Sequence, residues 1–327
     1  MRPCCHPERP DDDARANDSF DGPDRSAGRP LSSSKGSAVP IPGGAFAMGD
    51  HFDEGYRADG ELPVHVVELS GFDIDATTVT NAAFAEFVAA TGHVTDAEQF
   101  GSSAVFDLLV SPEAEGFRVP GTPWWLDVPG ARWDRPFGPG SDLTGQDDHP
   151  VVHVSAHDAR AYCEWAGRAL PTEAQWEYAA RGGLAGARFP WGDEPPSASD
   201  ARCNIFPGDF PDAPSAAVGT RPVRSFEPNG FGLYQCVGNV WEWCADRYSA
   251  RTYTSAGAVN PDGPDRGRSQ VLRGGSYLCH DSYCRRYRVA ARSHNTPATS
   301  AGNIGFRTVS PCDAVPRTSP PRSRPAR

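Results

Sequence analysis

Two cysteines near the C-terminal end of the chain have the spacing best suited to chemistry. Cys279 and Cys284 lie five positions apart in the segment RGGSYLCHDSYCRRYRVAAR, residues 273–292. This spacing lets two sulfur atoms meet across a short loop, but it differs from the C-x-x-C of zinc ribbons and thioredoxin-like sites. The residues leave three alternatives: a structural disulfide, a redox-active thiol pair, or a two-thiolate site for the soft monovalent ion Cu(I).

Arginine side chains crowd the same segment. Arg285, Arg286 and Arg288 follow the pair, and Arg273 precedes it. Their positive field is expected to favour the thiolate form of both cysteines. This favours the redox pair and the metal site over an inert disulfide, without choosing between the two.

The composition restricts the class of protein. The 327 residues carry a formal net charge of -11, which argues against nucleic acid as the main partner. No apolar run approaches the roughly 18 residues of a membrane span, and Asp11, Asp12 and Asp13 stand where a signal peptide needs apolar residues. We therefore expect a cytoplasmic protein without a membrane partner, in which nine cysteines do not form a secreted disulfide framework.

The domain organisation is predicted to be one unit with two tails. Residues 1–38 and 313–327 are polar and lack apolar periodicity, so we expect both to be disordered. Cys4 and Cys5 fall in the first tail, where adjacent thiols are expected to be incidental. Residues 39–312 form the single predicted domain.

A loop-rich α+β globule is the expected architecture, because 34 glycines and 32 prolines exclude helical bundles and coiled coils. Three helices are predicted, starting after Thr80, at Ser155 and at Thr172. Strands are predicted in four segments, of which the first two form a hairpin across Ser70 and Gly71: residues 64–69, 72–76, 271–277 and 304–309.

Residues 274–307, GGSYLCHDSYCRRYRVAARSHNTPATSAGNIGFR, resemble the signature segment of formylglycine-generating enzymes, the sulfatase-modifying factor family. The resemblance implies a C-type-lectin-like fold with little regular secondary structure, short strands and a few helices. Several of the family's sequence blocks also occur in unrelated members of the fold, so the cysteine pair is the discriminating feature. Other segments resemble family blocks in the family's order: 41–50, 79–106, 123–125, 149–167, 170–183, 189–194 and 229–246.

The resemblance also implies a function. The protein would be an oxidoreductase that uses Cu(I) and molecular oxygen to convert the cysteine of a C-x-P-x-R motif in a sulfatase into Cα-formylglycine. Cys279 and Cys284 would be the copper ligands, and the substrate cysteine would join as a third thiolate. The partner would be an unfolded sulfatase polypeptide or a peptide with that motif, and the enzyme a monomer.

Further site residues follow from the resemblance. Ser276 and Tyr283 would position oxygen or the substrate thiol, and Trp241 would form a wall of the pocket. Two acidic residues, Asp96 and Glu98, are candidates for pairing with the substrate arginine. The predicted substrate-binding residues are Trp124, Trp125, His280 and Asn303.

Structural calcium is a second implied cofactor, bound largely by carbonyl oxygens. Asn204 and Ile205 match one site of the family. The loop that follows is shorter than in the family, so this site lacks a ligand unless Asp209 or Asp212 substitutes. A second site is matched by Gln235, Cys236, Gly238 and Val240, with Gln235 in place of the usual asparagine.

Two other functions are known for proteins of this fold, and several further residues are expected in the core. A non-catalytic C-type-lectin-like binding module would have no reason to keep both active-site cysteines. A sulfoxide synthase of this fold would need a helical N-terminal domain that the first 38 residues are too short to form. Core positions are expected for His149, His153, Cys163, Cys203, Cys236 and Cys244.

Overall fold

The computed structural model describes residues 7, 38–197, 200–254 and 259–310. The predicted tails lie outside the described residues, apart from Pro7 and Ala38. The helices are α1 Asn81–Thr91, α2 Asp96–Phe100, α3 Ala156–Ala166 and α4 Glu173–Ala180. The strands are β1 Ala38–Ile41, β2 Gly44–Met48, β3 His65–Leu69, β4 Phe72–Asp75, β5 Ser102–Phe106, β6 Phe117–Arg118, β7 Trp125–Pro129, β8 Gly208–Asp209, β9 Ala213–Pro214, β10 Trp241–Arg247, β11 Gln270–Arg273, β12 Arg292–Asn295 and β13 Ile304–Gly305.

All three predicted helices are present with the expected caps. The Thr80 side chain accepts a hydrogen bond from the backbone of the first turn of α1, and Ser155 and Thr172 form capping boxes at α3 and α4. The short helix α2 was not predicted, although Thr95 and Glu98 form a capping box there too. Among the described helices, none is both long and apolar enough to cross a bilayer.

The predicted hairpin between residues 64–69 and 72–76 is wrong. β3 pairs with β2 and β4 pairs with β1 in two separate two-stranded sheets, so β3 and β4 do not pair with each other. A Cβ on Gly43 would lie 2.9 Å from the backbone nitrogen of Gly71, which shows how closely the two chains cross at the bend. Alternating apolar residues indicate a half-buried strand but do not specify its partner.

The two later strands are shorter than predicted. β11 ends at Arg273 because Gly274 and Gly275 adopt φ values of 93° and 73°, which turn the chain out of the sheet. β13 covers only the first two residues of 304–309. Both strands belong to the four-stranded sheet with the order β12-β11-β10-β13, in which β10 and β13 run parallel.

Buried arginine–glutamate pairs join helix α4 to this sheet. Arg273 and Arg292 are both fully buried and face each other across β11 and β12. Glu173 of α4 accepts hydrogen bonds from Arg273 at 3.0 Å and from Arg292 at 2.6 and 2.9 Å. Residues 274–291, which carry both cysteines, are thus closed at their two ends by one carboxylate.

A second glutamate on the same face of α4 completes the network. Glu177 accepts from Arg273 at 2.5 Å and from Arg181 at 2.7 Å. Burial raises the pKa of Glu177, but the guanidinium groups of Arg181 and Arg273 outweigh burial and hold it at about 2. This carboxylate therefore stays charged wherever the protein is folded near neutral pH.

Replacing Glu177 with glutamine should leave Arg273 without part of its counter-charge in the core. We expect Glu177→Gln to lower the free energy of unfolding at pH 7 by about 3–5 kcal/mol. A carboxyl with a lowered pKa stabilises the fold above its unfolded value of 4.5 and loses that effect as pH falls toward about 2. The difference between variant and wild type in urea unfolding should therefore shrink over that pH range.

The matched control is Asp200→Asn. Asp200 pairs with Arg202 at 2.7 Å, and the two side chains are 59% and 43% exposed. This substitution should change the free energy of unfolding by no more than about 1 kcal/mol. Equal losses for the two variants would contradict the importance of the buried network.

Candidate active site

The two predicted cysteines meet inside the loop between β11 and β12. The Sγ atoms of Cys279 and Cys284 lie 3.3 Å apart, and neither side chain is exposed. That distance is too long for a disulfide bond of about 2.05 Å. A tight turn brings the sulfur atoms together, because the backbone nitrogens of Tyr283 and Cys284 both donate to the carbonyl of His280.

Ser276 and Asn303 support the Cys279 side of the pair. The Ser276 backbone N–H donates to Cys279 Sγ at 3.4 Å, and Asn303 Nδ2 donates to Ser276 Oγ at 3.0 Å. Trp241 is fully buried and its backbone nitrogen donates to the Asn303 carbonyl. The structure thus brings Ser276, Asn303 and Trp241 into one connected group beside Cys279.

An aromatic cluster lies on the other side of the loop. The Tyr283 ring stacks on Phe210 with centroids 4.6 Å apart and meets Trp124 edge to face at 4.8 Å. Trp125 is fully buried and contacts Phe106, so it faces the core, away from Trp124. Phe210 was not among the predicted residues, since its position depends on a loop far from the cysteines in sequence.

Two of the nearby arginines, Arg286 and Arg288, do not present free positive charge to the thiols. Arg286 forms a bidentate pair with Asp59 at 2.6 and 3.0 Å, and Arg288 forms one with Glu61 at 2.9 and 3.0 Å. Arg285 is half exposed and lies 4.0 Å from a carboxylate oxygen of Glu54. Asp59 and Glu61, which the sequence pattern did not connect with this site, therefore compensate Arg286 and Arg288, whereas Glu54 also forms a bidentate pair with Arg188 at 2.7 and 3.0 Å.

His280 lies at the rim of the loop. Its Nδ1 is 2.8 Å from Ser282 Oγ, and its ring is partly exposed. It can therefore contact a bound peptide more readily than the buried residues behind the thiols. The role of His280 in substrate binding stays a prediction.

The two candidate calcium regions differ. Gln235 has a positive φ of 46°, and its buried Oε1 has no hydrogen-bond partner. In contrast, the Asn204 amide donates to Gly219 O and to Asn239 Oδ1, each at 2.9 Å. Asp209 and Asp212 are exposed in the β8–β9 hairpin. The region of Gln235, Cys236, Gly238 and Val240 thus offers an unused side-chain oxygen, that of Gln235, whereas the amide nitrogen of Asn204 is held by two protein acceptors.

The two candidates for the substrate arginine already have partners. Asp96 Oδ2 lies 2.8 Å from His157 Nδ1. Glu98 caps α2 through Thr95 and also pairs with Arg132 at 3.3 Å. Either carboxylate would have to share its present contacts to bind a substrate guanidinium.

The remaining predicted core residues are buried or half-buried. His153 is fully buried between Ser103 Oγ and the Pro136 carbonyl, and burial lowers its pKa to about 4. His149 is half-buried with Thr220 as its partner, and burial lowers its pKa too. Burial raises the pKa of four cysteine thiols, as expected of inert core residues: Cys163, Cys203, Cys236 and Cys244.

The fold and this site together define a C-type-lectin-like protein with a buried pair of thiols at the centre of its candidate active site. The chain belongs to the sulfatase-modifying factor enzyme 1-like family, whose domain model matches residues 26–312. The predicted family and fold class are thereby confirmed.

Three relatives illustrate the range of similarity. The chain is 60% identical over 280 residues to the formylglycine-generating enzyme of Streptomyces coelicolor, covering 84% of this chain and 89% of that protein. It is 47% identical over 297 residues to the formylglycine-generating enzyme of Bos taurus, covering 89% and 78%. It is also 43% identical over 281 residues to inactive Cα-formylglycine-generating enzyme 2 of Bos taurus, covering 83% and 87%.

Solved structures agree on the fold. PvdO from Pseudomonas aeruginosa superimposes with a TM-score of 0.59 at 24% identity, covering 83% of this chain and 93% of that one. CarF superimposes with a TM-score of 0.51 at 23% identity, covering 84% and 98%. At this identity the likeness concerns the fold alone.

Gly275 makes a testable contribution to the geometry of the thiol pair. A Cβ at this position would lie 2.8 Å from the Arg286 carbonyl and 3.1 Å from Cys279 Sγ. Gly275→Ala should therefore displace the thiol, slow oxidation of the pair to a disulfide, and destabilise the fold by more than about 1–2 kcal/mol. Mass spectrometry after thiol alkylation would follow the oxidation.

Gly92→Ala is the matched control. Gly92 has a φ of 68°, close to the 73° of Gly275, but a Cβ at this position would meet nothing within 4 Å. The variant should show only the strain of the left-handed backbone, about 1–2 kcal/mol, and a normal rate of disulfide formation. A normal oxidation rate in Gly275→Ala would show that Gly275 does not set the position of Cys279.

Proposed function

We propose that this protein converts the cysteine of a C-x-P-x-R motif in a sulfatase polypeptide into Cα-formylglycine, using molecular oxygen and Cu(I). The observation that carries the proposal is the buried pair of Cys279 and Cys284 thiols, 3.3 Å apart, in a chain of this family. Since an inactive relative is also 43% identical, similarity alone does not decide catalysis. The chemistry of the thiol pair supports activity.

The donor set suits copper in its reduced state. Two adjacent thiols provide soft sulfur ligands, which prefer Cu(I) over hard cations. Within the described residues, no group of three or more histidine, cysteine or acidic side chains competes as a metal site. Cu(I) held by Cys279 and Cys284 would supply the redox chemistry toward oxygen.

The surrounding residues prepare the site for a third thiol. The Ser276 N–H donates to Cys279 Sγ and stabilises negative charge on that sulfur. Asn303 Nδ2 donates to Ser276 Oγ and so fixes the orientation of the hydroxyl. Tyr283, Trp124 and Phe210 form an apolar border that excludes water from one side and contacts the peptide chain.

The charges around the site are balanced, which suits a substrate that must bring its own arginine. Asp59 and Glu61 neutralise Arg286 and Arg288 beside the loop. A peptide with one cysteine and one arginine then meets no excess positive charge at the thiols. This arrangement supports selective binding of the motif rather than general attraction of anions.

The principal test uses a synthetic peptide with a C-x-P-x-R motif, Cu(I), oxygen and a thiol reductant. We expect wild type to convert the peptide cysteine to an aldehyde, detected by mass and by reaction with an aminooxy probe. Cys279→Ser and Cys284→Ser should lose at least about 1,000-fold in rate, since one remaining thiol cannot chelate the metal. Their Cu(I) affinity in competition with a chromophoric chelator should fall as well.

Cys163→Ala is the matched control for these variants. Cys163 is a buried thiol on α3 without a place in the thiol pair, so its removal should leave peptide conversion and Cu(I) affinity unchanged. A peptide that stays unmodified in the presence of copper-loaded wild type would refute the enzymatic function. It would support a non-catalytic binding module instead.

We also propose that Ca²⁺ binds beside the turn at Gln235. The unpartnered Gln235 Oε1 and neighbouring carbonyl groups offer the oxygen ligands that Ca²⁺ prefers. Added Ca²⁺ should raise the melting temperature of wild type, and a chelator should reverse the rise. Gln235→Met, which keeps the length of the side chain, should abolish this response; an undiminished response would place calcium elsewhere.

We further propose that the enzyme acts as a cytoplasmic monomer. The absence of disulfides among the six cysteines of the described segments is compatible with a reducing compartment.

A further inference from the structure

A residue from the N-terminal end of the chain lies buried against the folded domain. The carbonyl oxygen of Pro7 accepts a hydrogen bond of 3.1 Å from Asn295 Nδ2, across 288 positions of sequence. Pro7 itself is buried. A proline has no backbone N–H to offer, so recognition of its peptide group depends on a donor to its carbonyl.

Asn295 is oriented to provide that donor. Its Oδ1 accepts hydrogen bonds from Thr296 N at 2.9 Å and from Thr299 Oγ1 at 3.1 Å. Asn295 and Thr299 are each 1% exposed, and Thr296 is 5% exposed. Because two donors fix the oxygen of the amide, its nitrogen is directed toward Pro7.

The segment that contacts Pro7 is connected at both of its ends to residues around the thiol pair. Residues 295–303 begin at the Pro7 contact and end at Asn303, which donates to Ser276 beside Cys279. On the same strand as Asn295, the guanidinium of Arg292 donates to the Asp59 carbonyl at 3.2 Å. The Asp59 carboxylate pairs with Arg286, two residues after Cys284. Asn295 is at the end of β12 opposite Arg292, so the Pro7 contact is connected to the site through residues 292–303.

The sequence around Pro7 has the form of the proposed substrate. Residues 5–9 read Cys-His-Pro-Glu-Arg, which is a C-x-P-x-R motif. Cys5 is two residues from Pro7, so their Cα atoms are separated by at most about 7 Å. Cys4 is out of register, because His6 and not proline stands two residues after it. Both thiols were expected to be incidental, and both lie outside the described residues.

The chain is long enough for this segment to reach the site. Residues 8–37 separate Pro7 from β1 and would span about 100 Å if fully extended. A domain of this size has a diameter of about 50 Å. A tethered motif of this kind has an effective concentration in the millimolar range, so it competes strongly with external peptides.

We propose that Cys5 is a substrate of the active site in its own chain and is converted to formylglycine, which rests on the proposed function. The thiol-bearing methylene of the side chain becomes an aldehyde, a two-electron oxidation in which the sulfur leaves as hydrogen sulfide. Molecular oxygen accepts these two electrons and two more from a thiol reductant, which becomes a disulfide. The four electrons reduce oxygen to two water molecules, and one water is consumed when hydrolysis replaces the sulfur with the aldehyde oxygen, so atoms and electrons balance.

The experiment follows Cys5 in the full-length protein. Purified wild type, in the reduced form without oxygen, is given Cu(I), a thiol reductant and oxygen, and the peptide containing residues 1–9 is analysed by mass and aminooxy labelling. We expect the aldehyde at Cys5, with a rate constant independent of protein concentration. Cys4→Ser, the matched control, should behave as wild type, while Cys279→Ser should leave Cys5 unchanged.

Two further variants test the docking. Asn295→Leu and Pro7→Ala should each slow conversion of Cys5 about 10-fold, because the first variant loses one hydrogen bond and the second loses the proline of the motif. Conversion in trans is measured by mixing active Cys5→Ser protein with the Cys279→Ser protein. At micromolar concentration it should be at least about 100-fold slower than conversion in cis.

The outcomes separate this inference from the proposed function. If an external C-x-P-x-R peptide is converted while Cys5 stays a cysteine, the inference fails and the proposed function stands. If neither wild type nor Cys5→Ser converts the external peptide, the proposed function fails, and the inference fails with it. Conversion of Cys4, or equal rates in cis and in trans, would overturn the assignment of Cys5 as a substrate docked in its own chain.

Discussion

The candidate site depends on the ion pairs that the carboxylate of Glu173 forms. This carboxylate binds the guanidinium groups of Arg273 and Arg292, which face each other in the core and would repel without it. These two arginines are the residues immediately before and after the loop that contains the thiols. The loop can therefore be irregular and rich in tight turns, because its ends are fixed by buried charge pairs and strand pairing rather than by its own secondary structure.

Inside this frame, backbone groups position much of the site. The His280 carbonyl holds the turn that carries Cys284, and the Ser276 N–H contacts the sulfur of Cys279. Gly275 leaves room for that sulfur, since a Cβ would come within 3.1 Å of it. Backbone donors cost little conformational entropy when a substrate binds, so a site built in this way is already organised before its substrate arrives.

The N-terminal segment around Pro7 is a candidate occupant of the site. Under the proposed function, the site would bind any segment of the right sequence, including one attached to the same protein. If the segment around Pro7 binds at the site, it also controls how readily external peptides bind there. A segment of the same chain bound at the site would lower the apparent affinity for external peptides in proportion to the fraction of molecules whose site is left free.

The sequence by itself determined the helix boundaries at Thr80, Ser155 and Thr172, the cysteine pair and the family, because caps and motifs are local and are read from neighbouring residues. It did not determine the partner of β3, the pairing of Arg286 with Asp59, or the stacking of Phe210 on Tyr283. Each of these joins residues between about 20 and more than 200 positions apart. Strand alternation, charge and aromatic character are shared by many possible partners, and only the packing of the tertiary structure selects among them.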